Sequence, residues 1–151
     1  GSDSPRSACR AMDRRAEQRA RDARRSIALH ALRGESLPFE DGSFDTVVST
    51  FTLCSIGDVD RALREVRRVL VSDGRFLILE HGLAKDPEVQ RWQRRLTPIQ
   101  RVIACGCELD RDVRAILERN GFGFVRVRSF YQPGEPRAFG YFTLGEARPA
   151  R

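Results

Sequence analysis

The segment that most constrains the fold runs from Phe44 to Glu80. "FDTVVSTFTLCSI" (residues 44–56) is a near-continuous apolar and β-branched run. Such a run reads as a strand buried on both faces, as in a parallel sheet. "DVDRALREVRRVL" (residues 58–70) places Val59, Leu63, Val66 and Leu70 on one helical face, with Ala62 and Val69 beside them. Its opposite face carries Arg61, Arg64, Glu65 and Arg68. "SDG" (residues 72–74) reads as the helix stop and turn, and "RFLILE" (residues 75–80) as a second buried strand. A strand, a helix and a strand in this order predict an α/β fold with a mainly parallel sheet.

The flanking segments extend that pattern. "SPRSACRAMDRRAEQRARDARR" (residues 4–25) is rich in helix formers, so residues 1–25 read as an arginine-rich N-terminal helix ahead of an α/β domain at 26–151. "SIALHAL" (residues 26–32) alternates and predicts a short strand. Residues 86–104 read as helical but broken near Pro98. Asp110 is the expected N-cap of "RDVRAILERN", which Gly121 ends. The stretches 122–131 and 137–147 read as strands that pair as an antiparallel hairpin.

Charge narrows the choice of partners. The net charge is +6, but residues 1–30 hold eight arginines against four acids, leaving only +2 for the rest. Lys85 is the single lysine among 27 basic residues, a skew of composition rather than a phosphate-binding pattern. Nucleic acid is therefore not an expected partner. No apolar run approaches the roughly 20 residues of a membrane span, and no signal-peptide core is visible. The expected compartment is the cytoplasm, where Cys9, Cys54, Cys105 and Cys107 would be reduced thiols. No pair among them has zinc-ribbon spacing, and no metal is expected.

Two stretches carry a resemblance. "GESLPFEDGSFDTVVS" resembles the loop and fourth strand of class I S-adenosylmethionine-dependent methyltransferases, and "ALREVRRVLVSDGRFLILE" their next helix, turn and fifth strand. The likeness covers about residues 30–147. "LILEHG" and "RWQRRLTPIQRVIACGCELDRD" resemble the ubiquinone- and thiol-methyltransferase branch. In the family's sheet the fourth, fifth, seventh and sixth strands lie side by side in that order. The glycine-rich turn after the family's first strand has no counterpart here. The resemblance thus implies a truncated Rossmann-like methyltransferase sheet, mainly parallel, with an antiparallel C-terminal hairpin.

The resemblance also implies a site. S-adenosylmethionine would be the cofactor, with Glu35, Ser36 and Leu37 beside its adenine and Asp3 on its ribose. Arg33 stands where the family often has an acidic residue. Ser49, Thr50 and Phe51 would flank its methionine. Open α/β sheets bind ligands beyond the carboxyl ends of their strands, which makes His81 the candidate base. Cys54, Trp92, Cys107 and Glu108 are the candidate acceptor-side residues. The implied reaction is methyl transfer to a small apolar acceptor, impaired by the missing glycine-rich turn. The alternative is a dimeric remnant acting as a hydrolase-like enzyme or a ligand-binding or interaction module, with Glu108 and Asp110 as an acidic pair. A bare apolar edge at residues 46–53 invites pairing with a second copy, so a homodimer that completes the sheet is expected.

Overall fold

A computed structural model describes residues 32–150, together with residues 15, 18–23, 27, 28 and 30. The expected ribose-binding Asp3 lies outside the described residues, as does most of the expected N-terminal helix. Within residues 32–150 four strands and three helices follow in the order β1 (Phe44–Thr50), α1 (Val59–Val69), β2 (Leu70–His81), α2 (Pro87–Ile103), α3 (Val113–Arg119), β3 (Phe122–Tyr131) and β4 (Tyr141–Pro149).

The strands form one sheet in the order β1-β2-β4-β3. This is the order that the family's fourth, fifth, seventh and sixth strands imply. Among the described strands only β1 and β2 pair in parallel; β4 runs antiparallel to both β2 and β3. The expectation of a mainly parallel sheet is therefore corrected. β4 inserts between β2 and β3, so two of the three pairings are antiparallel. The expected strand at 26–32 is corrected too. Its described residues are not in a strand, and Ile27 and Leu32 are exposed. Among the described residues no strand lies beside it to supply a hydrogen-bond ladder.

The helix α1 forms as its periodicity demands. Asp58 caps it, accepting from the Arg61 N–H at 2.9 Å, and Arg67 and Arg68 sit in the last turn where the dipole favours cations. Its apolar face packs Val59 and Leu63 against Phe76 and Ile78 of β2, with Leu117 of α3 and Phe122 of β3 in the same core. The "SDG" turn proves to be an irregularity inside β2. Phe44 pairs with Leu70 and Thr46 with Arg75, so residues 71–74 bulge out between the two pairings.

Three local expectations change. Pro98 does not break α2, which runs through it. Pro98 removes the bond that the Arg94 carbonyl would accept, but this turn faces solvent and water can replace it. The N-cap of α3 is Asp112, accepting from the Ala115 N–H at 3.1 Å, while Asp110 accepts from Thr97 Oγ1 at 3.0 Å. β1 is not buried on both faces. Among the described residues the helices of the main core cover one side of the sheet, and Val48 on the other side is 65% exposed. Val48, Leu77, Leu79 and Leu144 line an open apolar cavity of about 500 Å³ on that side.

Candidate functional site at the carboxyl ends of β1 and β2

Alternation along β2 puts Glu80 on the core side with Phe76 and Ile78. Glu80 is fully buried and takes part in no ion pair among the described residues. It binds the chain that leaves β1 instead. Its carboxylate accepts from Ser49 Oγ at 2.6 Å, from the Thr52 N–H at 3.0 Å and from the Leu53 N–H at 3.2 Å. Burial pushes the Glu80 carboxyl up, and these hydrogen bonds pull against it. Residues 49–53 are thereby folded around one carboxylate at the mouth of the sheet. Phe51 within this corner has a φ of 50°, a left-handed conformation costly for an aromatic residue. It is held by its own N–H donating to the Leu79 carbonyl at 3.0 Å.

His81, the last residue of β2, meets two cysteines. Its Nε2 lies 2.8 Å from Cys107 Sγ, which lies 3.5 Å from Cys54 Sγ. Both thiols are free and buried. The hydrogen bond from Cys107, aided by His81, holds the Cys54 thiol down, while that same bond and burial push the Cys107 thiol up. Of the four expected reduced thiols, Cys54 and Cys107 are free, and Cys9 lies outside the described residues. His81 Nδ1 is buried without a hydrogen-bond partner among the described residues. The Phe51 ring lies 6.4 Å from the His81 ring and 5.4 Å from that of Phe142.

The loop that carries Cys107 is fixed from several sides. The Glu108 N–H donates to the Cys54 carbonyl at 2.9 Å. The Glu108 carboxylate is held by Arg111 at 2.7 Å and by Arg101 at 3.5 Å. Arg111 also donates to the Leu53 carbonyl at 2.6 Å. Glu108 thus closes the loop, and with Asp110 engaged by Thr97 the two acids do not form a free pair. Gly82 permits the close approach of this loop, since a Cβ there would lie 2.5 Å from the Arg111 carbonyl oxygen.

The adenine-side loop is latched onto α1. Glu65 accepts from the Leu37 N–H at 2.8 Å. Arg68 donates to the carbonyls of Leu37 and Phe39 at 2.9 and 2.8 Å and pairs with Asp41 at 2.7 Å. These two side chains read as a solvated helix face in the sequence, yet they set the path of residues 37–41. The Ser36 N–H donates to the Arg33 carbonyl at 3.1 Å. Neither the Ser36 nor the Leu37 N–H is therefore free to read an adenine. The Glu35 side chain lines a hollow of about 350 Å³ with Arg33, Ser36, Asp58 and Arg61.

This latch has a pH signature. Hydrogen bonds from Arg68 and then Leu37 lower the Glu65 carboxyl from 4.5 to about 2. A depressed folded-state value gives stability that is complete above the unfolded value and is lost as pH falls through the folded one. Hydrogen exchange of the Leu37 amide, taken relative to its intrinsic rate at each pH, should therefore rise between about pH 4.5 and pH 2. Glu65→Gln should flatten that rise, and an unchanged profile would count against the latch.

The remaining expected residues separate. Cys54, His81 and Cys107 come together, with Phe51 beside His81. Ser49 is buried on Glu80, and Thr50 is exposed at the strand end. Trp92 is 57% exposed and lines a different cleft with Val89, Pro136 and Arg137. Gln93 was not singled out from the sequence. It is fully buried, accepts from the Ala84 N–H at 2.9 Å and donates to the Gly82 and Ala138 carbonyls at 2.9 and 3.2 Å. A polar residue one turn from the buried Val89 was the available signal.

Comparison with known proteins gives a consistent result. A family model described as a methyltransferase domain matches residues 7–78. Thiol S-methyltransferase TMT1A of Homo sapiens is 36% identical over 107 residues, covering 67% of this chain and 44% of that protein. The ubiquinone/menaquinone biosynthesis C-methyltransferase UbiE of Hahella chejuensis is 47% identical over 57 residues, covering 38% of this chain and 23% of that protein. The crystal structure of YcgJ from Bacillus subtilis superposes with a TM-score of 0.68 at 18% identity, over 90% of this chain and 77% of that one. The chain spans less than half the length of these two curated relatives. No helix of the described residues is long and apolar enough to cross a membrane.

Proposed function

The chain belongs to the class I S-adenosylmethionine-dependent methyltransferases, and on that premise we propose that it carries the acceptor half of a site that methylates a small apolar molecule. The boundaries proposed are residues 26–151 for this half and residues 1–25 for the arginine-rich segment that precedes it in the sequence. The observation that carries the proposal is the His81 ring at the carboxyl end of β2, with a buried nitrogen that has no partner among the described residues. S-adenosylmethionine, the cofactor of this family, supplies an electrophilic methyl group on a sulfonium. The residues that fit it are Glu35 in its hollow and Thr50 and Phe51 at the strand end, with Asp3 as the proposed ribose ligand.

Transfer from a sulfonium is a displacement that depends on alignment, and on a base where the acceptor must lose a proton. His81 Nδ1 takes that proton. The strained Phe51 and the facing Phe142 give the acceptor an aromatic wall beside His81. Exposed Ile99 and Val102 on α2 favour an apolar acceptor. The reading is tested by isothermal titration of S-adenosylmethionine into the chain, followed by transfer of labelled methyl to small thiols and quinols. Saturable binding with product supports it. A folded chain that binds no S-adenosylmethionine refutes it.

The same half-sheet carries the proposal of a homodimer. β1 is the sheet's edge, no described strand pairs with its outer side, and Val48 and the apolar cavity beside it are open. An unprotected apolar edge favours pairing with another chain. Light scattering at micromolar concentration should give the mass of two chains. A clean monomer would contradict the pairing through residues 46–53.

A further inference from the structure

We propose that Cys54, His81 and Cys107 form a binding site for a soft divalent cation, best matched by Zn²⁺. Their Sγ and ring-nitrogen atoms all lie within 4.8 Å of one another, although they come from the β1 exit, the end of β2 and the loop after α2. Two sulfurs and an imidazole are the donor set that zinc and similar metals select. Tetrahedral zinc with Zn–S of about 2.3 Å and Zn–N of about 2.0 Å separates its sulfurs by about 3.8 Å and sulfur from nitrogen by about 3.5 Å. The sulfurs here stand 3.5 Å apart and His81 Nε2 stands 2.8 Å from Cys107 Sγ, so these two pairs open by less than about 1 Å to admit the ion, while Cys54 and His81 already lie within 4.8 Å.

The surroundings suit a metal better than a bare pair of thiols. Both cysteines are buried, which shields their sulfurs from bulk solvent. Their backbones are cross-tied, with the Glu108 N–H on the Cys54 carbonyl and the neighbouring Leu53 bound by Glu80 and Arg111. Such supporting contacts hold ligands in place. Glu80 is a buried carboxylate beside these sulfurs with no ion-pair partner among the described residues. Thiolates next to it would repel it, and a bound cation offsets that repulsion. Three protein ligands leave the fourth tetrahedral position for water or another donor. With the ion in place His81 is a ligand rather than a base, so the metal would hold back the proton transfer assigned to that ring above.

The test titrates Co²⁺ into the full chain, kept reduced and without S-adenosylmethionine, so its outcome is independent of methyl transfer. The expected result is a sulfur-to-cobalt charge-transfer band that saturates at one ion per chain and is displaced by Zn²⁺. Cys54→Ser and Cys107→Ser should each weaken binding by more than about 100-fold, and His81→Gln by at least about tenfold, because each removes one ligand. His30→Gln should change nothing. A folded wild-type chain without the band overturns the site, as does a band retained in both serine variants. Should the serine variants fail to fold, His81→Gln decides, since unchanged cobalt affinity there removes the third ligand.

Discussion

Replacing Glu80 with alanine lowers the unfolding free energy by about 3 kcal/mol, since each buried donor left unsatisfied costs about 1–3 kcal/mol and the relief of a buried charge offsets part of the sum. The donors are Ser49 Oγ and the N–H groups of Thr52 and Leu53. The corner they form also holds the left-handed Phe51 and the turn before Cys54, so the loss extends to the site. Glu80→Gln keeps an acceptor oxygen and should cost about 1 kcal/mol, the net worth of a hydrogen bond. Urea denaturation of both variants checks this. Equal stability of Glu80→Ala and the wild type would show that the corner does not depend on the carboxylate.

Replacing His81 with alanine lowers the turnover of an acceptor that must lose a proton by about 10²–10⁴-fold, the usual contribution of a positioned base. Binding of S-adenosylmethionine should remain, because His81 is not among the residues that fit the cofactor. The measurement is done on metal-free protein, where the ring is available as a base. Unchanged turnover would remove His81 from the chemistry and leave it a neighbour of Cys107 and Phe51 only. A parallel loss of cofactor affinity would mean that the ring shapes the cofactor's side of the cleft instead.

The parts of the fold that sequence reading reached are those where period and burial agree. The apolar stripe of Val59, Leu63 and Val66 predicts α1 and its core face, and "RFLILE" predicts the buried stretch of β2. The antiparallel pairing of β3 and β4 follows from two alternating runs around a turn. Long-range partners decide the rest. Glu65 and Arg68 have the spacing of a solvated face, and only the return of residues 37–41 gives them carbonyls and an N–H to bind. Val48 reads as core because it is apolar and β-branched, yet its side of the sheet is open among the described residues.

The candidate site divides along the same line. The position of His81 at the end of a central strand is legible from the fifth-strand motif. The approach of Cys54 to Cys107 is not, because it depends on how the loop after α2 folds back over β1. Asp110 and Asp112 are equally good caps by type, and Thr97 draws off the first. Ser36 and Leu37 are expected beside the adenine, but their N–H groups are committed within the loop and to α1. Glu35 accepts from the Asp58 N–H at 3.4 Å, and its side chain lines a hollow.

The central claim is that this half-sheet still engages the family's cofactor, and isothermal titration of S-adenosylmethionine into the folded chain tests it most directly. Saturable binding in the micromolar range, weakened by Glu35→Ala and retained in His81→Ala, is the predicted result. No heat of binding and no thermal shift, from protein whose cooperative unfolding proves it folded, would contradict the account.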